Sequence, residues 1–217
     1  MELDLSSSPR QVIELLIEDV SDSSIFEEIA KANMNRPEIL KLLLDNPSTP
    51  ETVRQQVAEV LHLPETTHGI EKVNKTPEAR PQTIFQKTQG LSFSEKRLLA
   101  LRGGKDVRSI LLKDPNKEIS LTVLDNPKIT ETEVELVAKS RSSSDEAIRK
   151  ILKKREWMKN YSIILAIISN PKTPAGVGVP LLSGLKTKDL ASLEKNKNIS
   201  EAIRSAAKTL LRGRKGL

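Results

Sequence analysis

An all-α fold of short, stacked helices is what this sequence predicts, on three observations. The dipeptide Asn-Pro closes an apolar stretch three times, at Asn46-Pro47, Asn126-Pro127 and Asn170-Pro171. Strand signals are scarce: ISLTVL (119–124) alternates only weakly and, with helical patterns on both sides, reads as helix. Aromatic residues make up 2% of the 217 positions, so the core must come from Leu, Ile, Val and Ala, as in helices whose small side chains interlock.

The punctuation has a physical reading. Asn before Pro is pushed out of the α region, so a helix stops there. Thr49, Thr130 and Thr173 then stand where an N-cap belongs, their hydroxyls free to accept an orphan backbone N–H. Pro50 and Pro174 follow at the first helical position, where a missing N–H costs nothing, and Thr130 with Glu133 forms a capping box. Weaker copies fill the gaps. Asp114-Pro115-Asn116 ends one helix and caps ISLTVL, Ser143 with Glu146 suggests a capping box before Ile148 and Ile151, and Asn198-Ile199-Ser200 leads into EAIRSAAKTLL. The copies at Asn126 and Asn170 lie 44 residues apart with the Ser143 copy between them, which sets a unit of about 20–25 residues. Helices this short cannot bury an apolar face alone; stacking on neighbours gives them a continuous core.

Residues 62–91 break the pattern with Pro64, Pro77, Pro81 and scattered charge, and read as a linker or long loop. The charge sign changes there too. Residues 1–90 hold nine Lys/Arg against fifteen Asp/Glu, and residues 91–217 hold 26 against 14. The expected organisation is an acidic N-terminal helical segment (1–61), the linker (62–91) and a basic helical repeat array (92–217).

The Asn-Pro-x-Thr-Pro punctuation resembles the leucine-rich repeat variant family and, more broadly, the HEAT-like α-solenoids. From Ser94 to Leu211, the ordered series LDNPKITETEV, REWMKNY (155–161), SNPKTP (169–174) and KNIS (197–200) is most similar to a group of uncharacterised bacterial repeat proteins. The resemblance implies a right-handed α-α superhelix of short α and 3-10 helices, and it is silent on activity. The founding variant-repeat protein carries a cysteine-ligated iron–sulfur domain, and this chain has no cysteine, so no cluster carries over.

The composition narrows the chemistry further. Lack of cysteine removes disulfides, thiolate catalysis and Cys-ligated metal. The N-terminus shows no basic and apolar leader pattern, and the longest apolar run, Ile163 to Ile168, is far short of the roughly 20 residues of a membrane span, so a cytoplasmic protein without membrane association is expected. His62 and His68 fall in the linker without a third fixed ligand; neither a metal site nor a cofactor is expected. The acidic runs Glu27-Glu28 and Glu131/Glu133/Glu135 suit first turns and helix faces. Gly103-Gly104-Lys105 lacks the spacing of a phosphate loop and reads as a helix C-terminus with glycine in the left-handed conformation. The chain is therefore read as non-enzymatic.

The richest local feature is RKILKKREWMKNY, which sets Arg149, Lys150, Lys153, Lys154, Arg155 and Lys159 around Trp157, the only Trp, and Tyr161, the only Tyr. These cations with Trp157 form the candidate binding set: phosphate contacts from the cations and stacking or anchoring from the indole. The alternative is a solvated basic helix followed by a Trp that fills a gap between repeats. The expected partner is a protein, with a nucleic-acid duplex backbone as the second reading.

Overall fold

The computed structural model describes residues 4–20, 22–63 and 79–215. Among these, every regular element is helical and there is no strand. The chain divides into two compact units, residues 1–128 and 129–217.

The first unit holds α1 (Arg10–Glu18), α2 (Ser24–Ala32), α3 (Pro37–Asp45), α4 (Glu51–Val60), α5 (Ala79–Gln89), α6 (Phe93–Arg102), α7 (Lys105–Leu111) and α8 (Lys117–Val123). Each helix packs on the one two places along: α1 on α3, α2 on α4, α5 on α7 and α6 on α8. Apolar residues three and four apart supply the inward faces. Val12, Ile13, Leu16 and Ile17 do so on α1, and Ile39, Leu40 and Leu43 on α3, all buried.

The second unit holds α9 (Glu131–Lys139), α10 (Asp145–Lys153), the 3-10 turn η1 (Trp157–Lys159), α11 (Tyr161–Ser169), α12 (Ala175–Leu181), the 3-10 turn η2 (Leu182–Gly184), α13 (Thr187–Lys195) and α14 (Glu201–Lys215). Again α9 packs on α11 and α12 on α14, while α13 and α14 form an antiparallel closing pair. Ile168, Leu182, Leu190, Leu193, Ile203 and Ala207 make a shared core. Gly178 permits the close approach of α12 to α14, because a Cβ there would lie 2.5 Å from Ile203 Cδ1.

The Asn-Pro turns end helices as the sequence predicts, and they also tie together three of the pairs two places apart. Asn170 is 2% exposed. Its Nδ2 donates to Ala138 O at 2.6 Å and Ser140 O at 2.9 Å, at the close of α9, while its Oδ1 accepts the Lys172 N–H. Asn126 does the same to Ala100 O and Gly103 O at the close of α6, and Asn46 to Ile17 O in α1. One side chain thus closes its own helix and tethers the end of the helix two places back.

Three cap assignments are corrected. Thr49 and Thr173 are buried and do not cap; their hydroxyls donate back to Leu43 O and Ile167 O, each at 2.6 Å, and Pro50 and Pro174 occupy the N-cap position itself. Counting from the asparagine gives the reason. The fourth residue on is the cap, which is Pro50, Thr130, Pro174 and, from Asn196, Ser200. The third turns inward: Thr49, Thr173 and Ile199 are buried there and Ile129 is half-buried. The Thr130–Glu133 box is present as expected. Ser143 likewise bonds back to Val137 O, leaving Ser144 to cap α10 by accepting the Ala147 N–H.

The expected linker at 62–91 falls partly on residues 64–78, which lie outside the described residues. Beyond them, residues 79–89 are helix rather than loop: Ile84 is buried and α5 packs on α7 and α1. Acids of the N-terminal segment pair with cations beyond residue 61 inside the first unit. Lys87 meets Glu18 at 2.9 Å, Arg102 meets Glu28 at 2.6 Å and Lys128 meets Asp22 at 3.2 Å. The unit boundary falls after Lys128, inside the segment expected as one array.

Candidate functional site

The expected binding set sits on α10, the turn that follows it and η1. Ala147, Ile148 and Ile151 bury the inner face of α10, which turns Arg149 and Lys153 outward; Arg155 and Lys159 are exposed on the turn and η1, and Lys150 is half-buried. Arg149 is paired with Asp145 at 2.8 Å across one helical turn.

Trp157 is the exception. It is 6% exposed, with Lys154 Nζ 4.4 Å from the ring centroid, so the expected stacking role has no open face and the indole fills the interior instead. η1 packs against both α10 and α11, which places the only large aromatic of this turn at their junction. Tyr161 is committed as well. Its hydroxyl donates to the Asp189 carboxylate and accepts the Lys186 N–H at 3.0 Å, and Lys186 Nζ stands 5.1 Å over its ring. Partial burial and the Asp189 carboxylate hold the Tyr161 proton above the ordinary phenol range.

These bonds gather a larger cationic surface than the sequence run alone indicates. α10 ends and α11 begins at the turn 154–160. The Tyr161 contacts bring the start of α13 to the same end, adding Lys186 and Lys188, both exposed. Arg214, near the close of α14, donates to Leu185 O at 2.7 Å and Ser183 O at 2.8 Å and so belongs there too. Lys153, Lys154, Arg155, Lys159, Lys186, Lys188 and Arg214 therefore share one end of the second unit. The acids placed with them are Glu131, which accepts from Asn160 Nδ2 at 2.6 Å, Glu156, and Asp189, which is engaged by Tyr161. Lys186, Lys188 and Arg214 were not legible as partners of the 149–159 run, because helix pairing and not sequence proximity unites them.

The other sequence candidates resolve into structural roles. Gly103 and Gly104 have φ of −66° and −76°, not left-handed values. Close approach is what demands glycine: a Cβ on Gly104 would fall 2.0 Å from Asp19 O. The Val107 N–H at the start of α7 is already taken by Asp19 Oδ2 at 2.7 Å. His62 stands just past α4 at φ 52°, exposed; His68 lies outside the described residues. Glu28 and Glu135 pair with Arg102 and Lys139. Among the described residues no group of three His, Cys, Asp or Glu is placed to hold a metal ion, and no helix is long and apolar enough to cross a membrane.

The first unit offers a different surface. A groove is lined by Phe85 and Thr88 of α5 and by Ile110 and Pro115, with Lys96 and Asp114 paired at 2.9 Å on its margin. Phe85 is 50% exposed there. No protein-family model matches this chain, and no curated protein or solved structure matches it either.

Proposed function

We propose that this chain is a non-enzymatic binding scaffold, a right-handed α-α superhelix of the HEAT-like or leucine-rich repeat variant kind that offers surface to a protein partner. The repeat reading is supported by the recurring packing of helices two places apart within each unit, and by the asparagine that tethers three of those pairs, α1 with α3, α6 with α8 and α9 with α11. A partner of this class is met through a few apolar or aromatic anchors that become buried on association.

The observation that carries the protein partner is the position of such anchors. Of the large apolar side chains exposed among the described residues, Met34, Val60, Leu63, Phe85 and Phe93 belong to the first unit and Leu136 to the second. Phe85, at the mouth of the groove with Ile110 and Pro115, is the anchor the proposal commits to, and its occupant is an apolar side chain of a partner protein. The test is affinity capture by the full chain from native lysate with and without nuclease. The proposal expects a protein captured equally in both; capture that vanishes with nuclease would replace it with the nucleic-acid reading.

A further inference from the structure

We infer that the cationic end of the second unit is a second binding surface, one that takes the phosphate backbone of duplex nucleic acid without reading its sequence. This inference stands independently of the protein-partner reading, which concerns the first unit.

Charge is the first support. Residues 129–217 carry 18 Lys/Arg against nine Asp/Glu, whereas residues 1–128 carry 17 against 20. Within the second unit the cations concentrate where α10 ends and α11 and α13 begin, and the acids placed there are few. A surface of this kind gains affinity by displacing counterions condensed on a polyanion.

The type of residue then selects the polyanion. Five of the seven cations gathered there are lysines, which act as point charges on flexible stems and meet phosphates without fixed geometry. Protein interfaces are depleted in lysine and built on Tyr, Trp and Arg anchors. Here Trp157 is buried, the Tyr161 hydroxyl is bonded to Asp189, and Arg214 spends its guanidinium on two backbone carbonyls. The commitment of Trp157 and Tyr161 also argues against single strands, whose bases need an open aromatic face to stack on. What is left, with Arg155, is a lysine-rich surface whose two aromatics are committed, suited to a regular line of phosphates.

The test is titration of the full chain with a mixed-sequence DNA duplex of about 20 base pairs at about 50 and about 150 mM salt. The inference expects binding that weakens with salt with a log–log slope of about −3 or steeper, from about three or more phosphate contacts at about 0.9 each. The triple variant Lys153→Glu, Lys159→Glu, Lys188→Glu should lose at least about tenfold in affinity and flatten the slope. The triple variant Lys172→Glu, Lys195→Glu, Lys197→Glu changes net charge equally but places its reversals at the opposite end, and should lose less than about threefold. No duplex binding, equal losses in both variants, or tighter binding to polyglutamate than to duplex would each overturn the inference. Circular dichroism on both variants confirms that the helices persist. Failure here leaves nuclease-resistant protein capture untouched, so the two proposals fail separately.

Discussion

Asn170 saturates its side chain inside the second unit: two donated bonds to α9 carbonyls and one accepted from the backbone of its own turn. Truncating it leaves those carbonyls and the Lys172 N–H without that partner where water is scarce, which costs more than losing a surface cap. Asn170→Ala should lower unfolding free energy by about 2–3 kcal/mol. Asn196→Ala, at a half-buried turn whose side chain accepts the Asn198 N–H, should cost about 1 kcal/mol or less. Urea unfolding of both variants checks this; equal losses would mean the tether to the earlier helix adds nothing. The sequence showed the asparagines as helix terminators, because Asn-Pro has a local consequence. It did not show where their amides go, since Ala138 and Ser140 are about thirty residues away. The same blindness misplaced Thr49 and Thr173. A threonine ahead of a helix signals a cap by local rules, and burial against the preceding helix gave the hydroxyl a nearer acceptor.

At the scale of elements, the junction of α1 with α7 shows how tertiary packing takes over a local signal. Asp19, just past α1, caps α7 from 88 positions away. Burial holds its carboxyl above the ordinary value of 3.8, outweighing the Val107 N–H that favours the anion. An acid whose folded value is raised binds its proton more tightly folded than unfolded. The folded state is therefore penalised once pH exceeds the folded value, and the penalty is absent below about 3.8. Asp19→Asn keeps an acceptor and removes the titration. Its stability relative to the native chain should thus be higher at pH 7 than at about pH 4. Asp19→Ala also removes the titration but keeps no acceptor, so it should be less stable than Asp19→Asn by about 1 kcal/mol at both pH values, as a helix without its cap is. A native chain that gains on Asp19→Asn as pH rises would contradict the sign. The glycine pair before α7 was visible in the sequence, but its cause was not, because a close approach to Asp19 O leaves no local mark. α5 was hidden for a related reason: its apolar pattern is thin, and the burial of Ile84 together with the Lys87–Glu18 pair anchors it.

Across the whole molecule, helical class was legible from punctuation and composition, while the division into units was not. The shift from acidic to basic sequence near residue 91 suggested separate domains. In the structure, acids of the first 61 residues pair with Lys87, Arg102 and Lys128, so the acidic segment shares a unit with part of the sequence that follows it. The excess of positive charge that remains lies beyond residue 128. The candidate site was half legible. The 149–159 run held Lys153, Lys154, Arg155 and Lys159, but its Arg149 and Lys150 fall outside the gathered set, and the burial of Trp157 and the convergence of Lys186, Lys188 and Arg214 had to come from helix pairing. The two proposals together divide the labour, with an apolar anchor on the first unit for protein and a cationic end on the second for phosphate. The most direct test of this division is protein capture from nuclease-treated lysate, comparing the native chain, Phe85→Asp and the triple variant Lys153→Glu, Lys159→Glu, Lys188→Glu. Phe85→Asp is expected to lose the captured protein while the triple variant keeps it; loss with the triple variant and retention with Phe85→Asp would contradict the division.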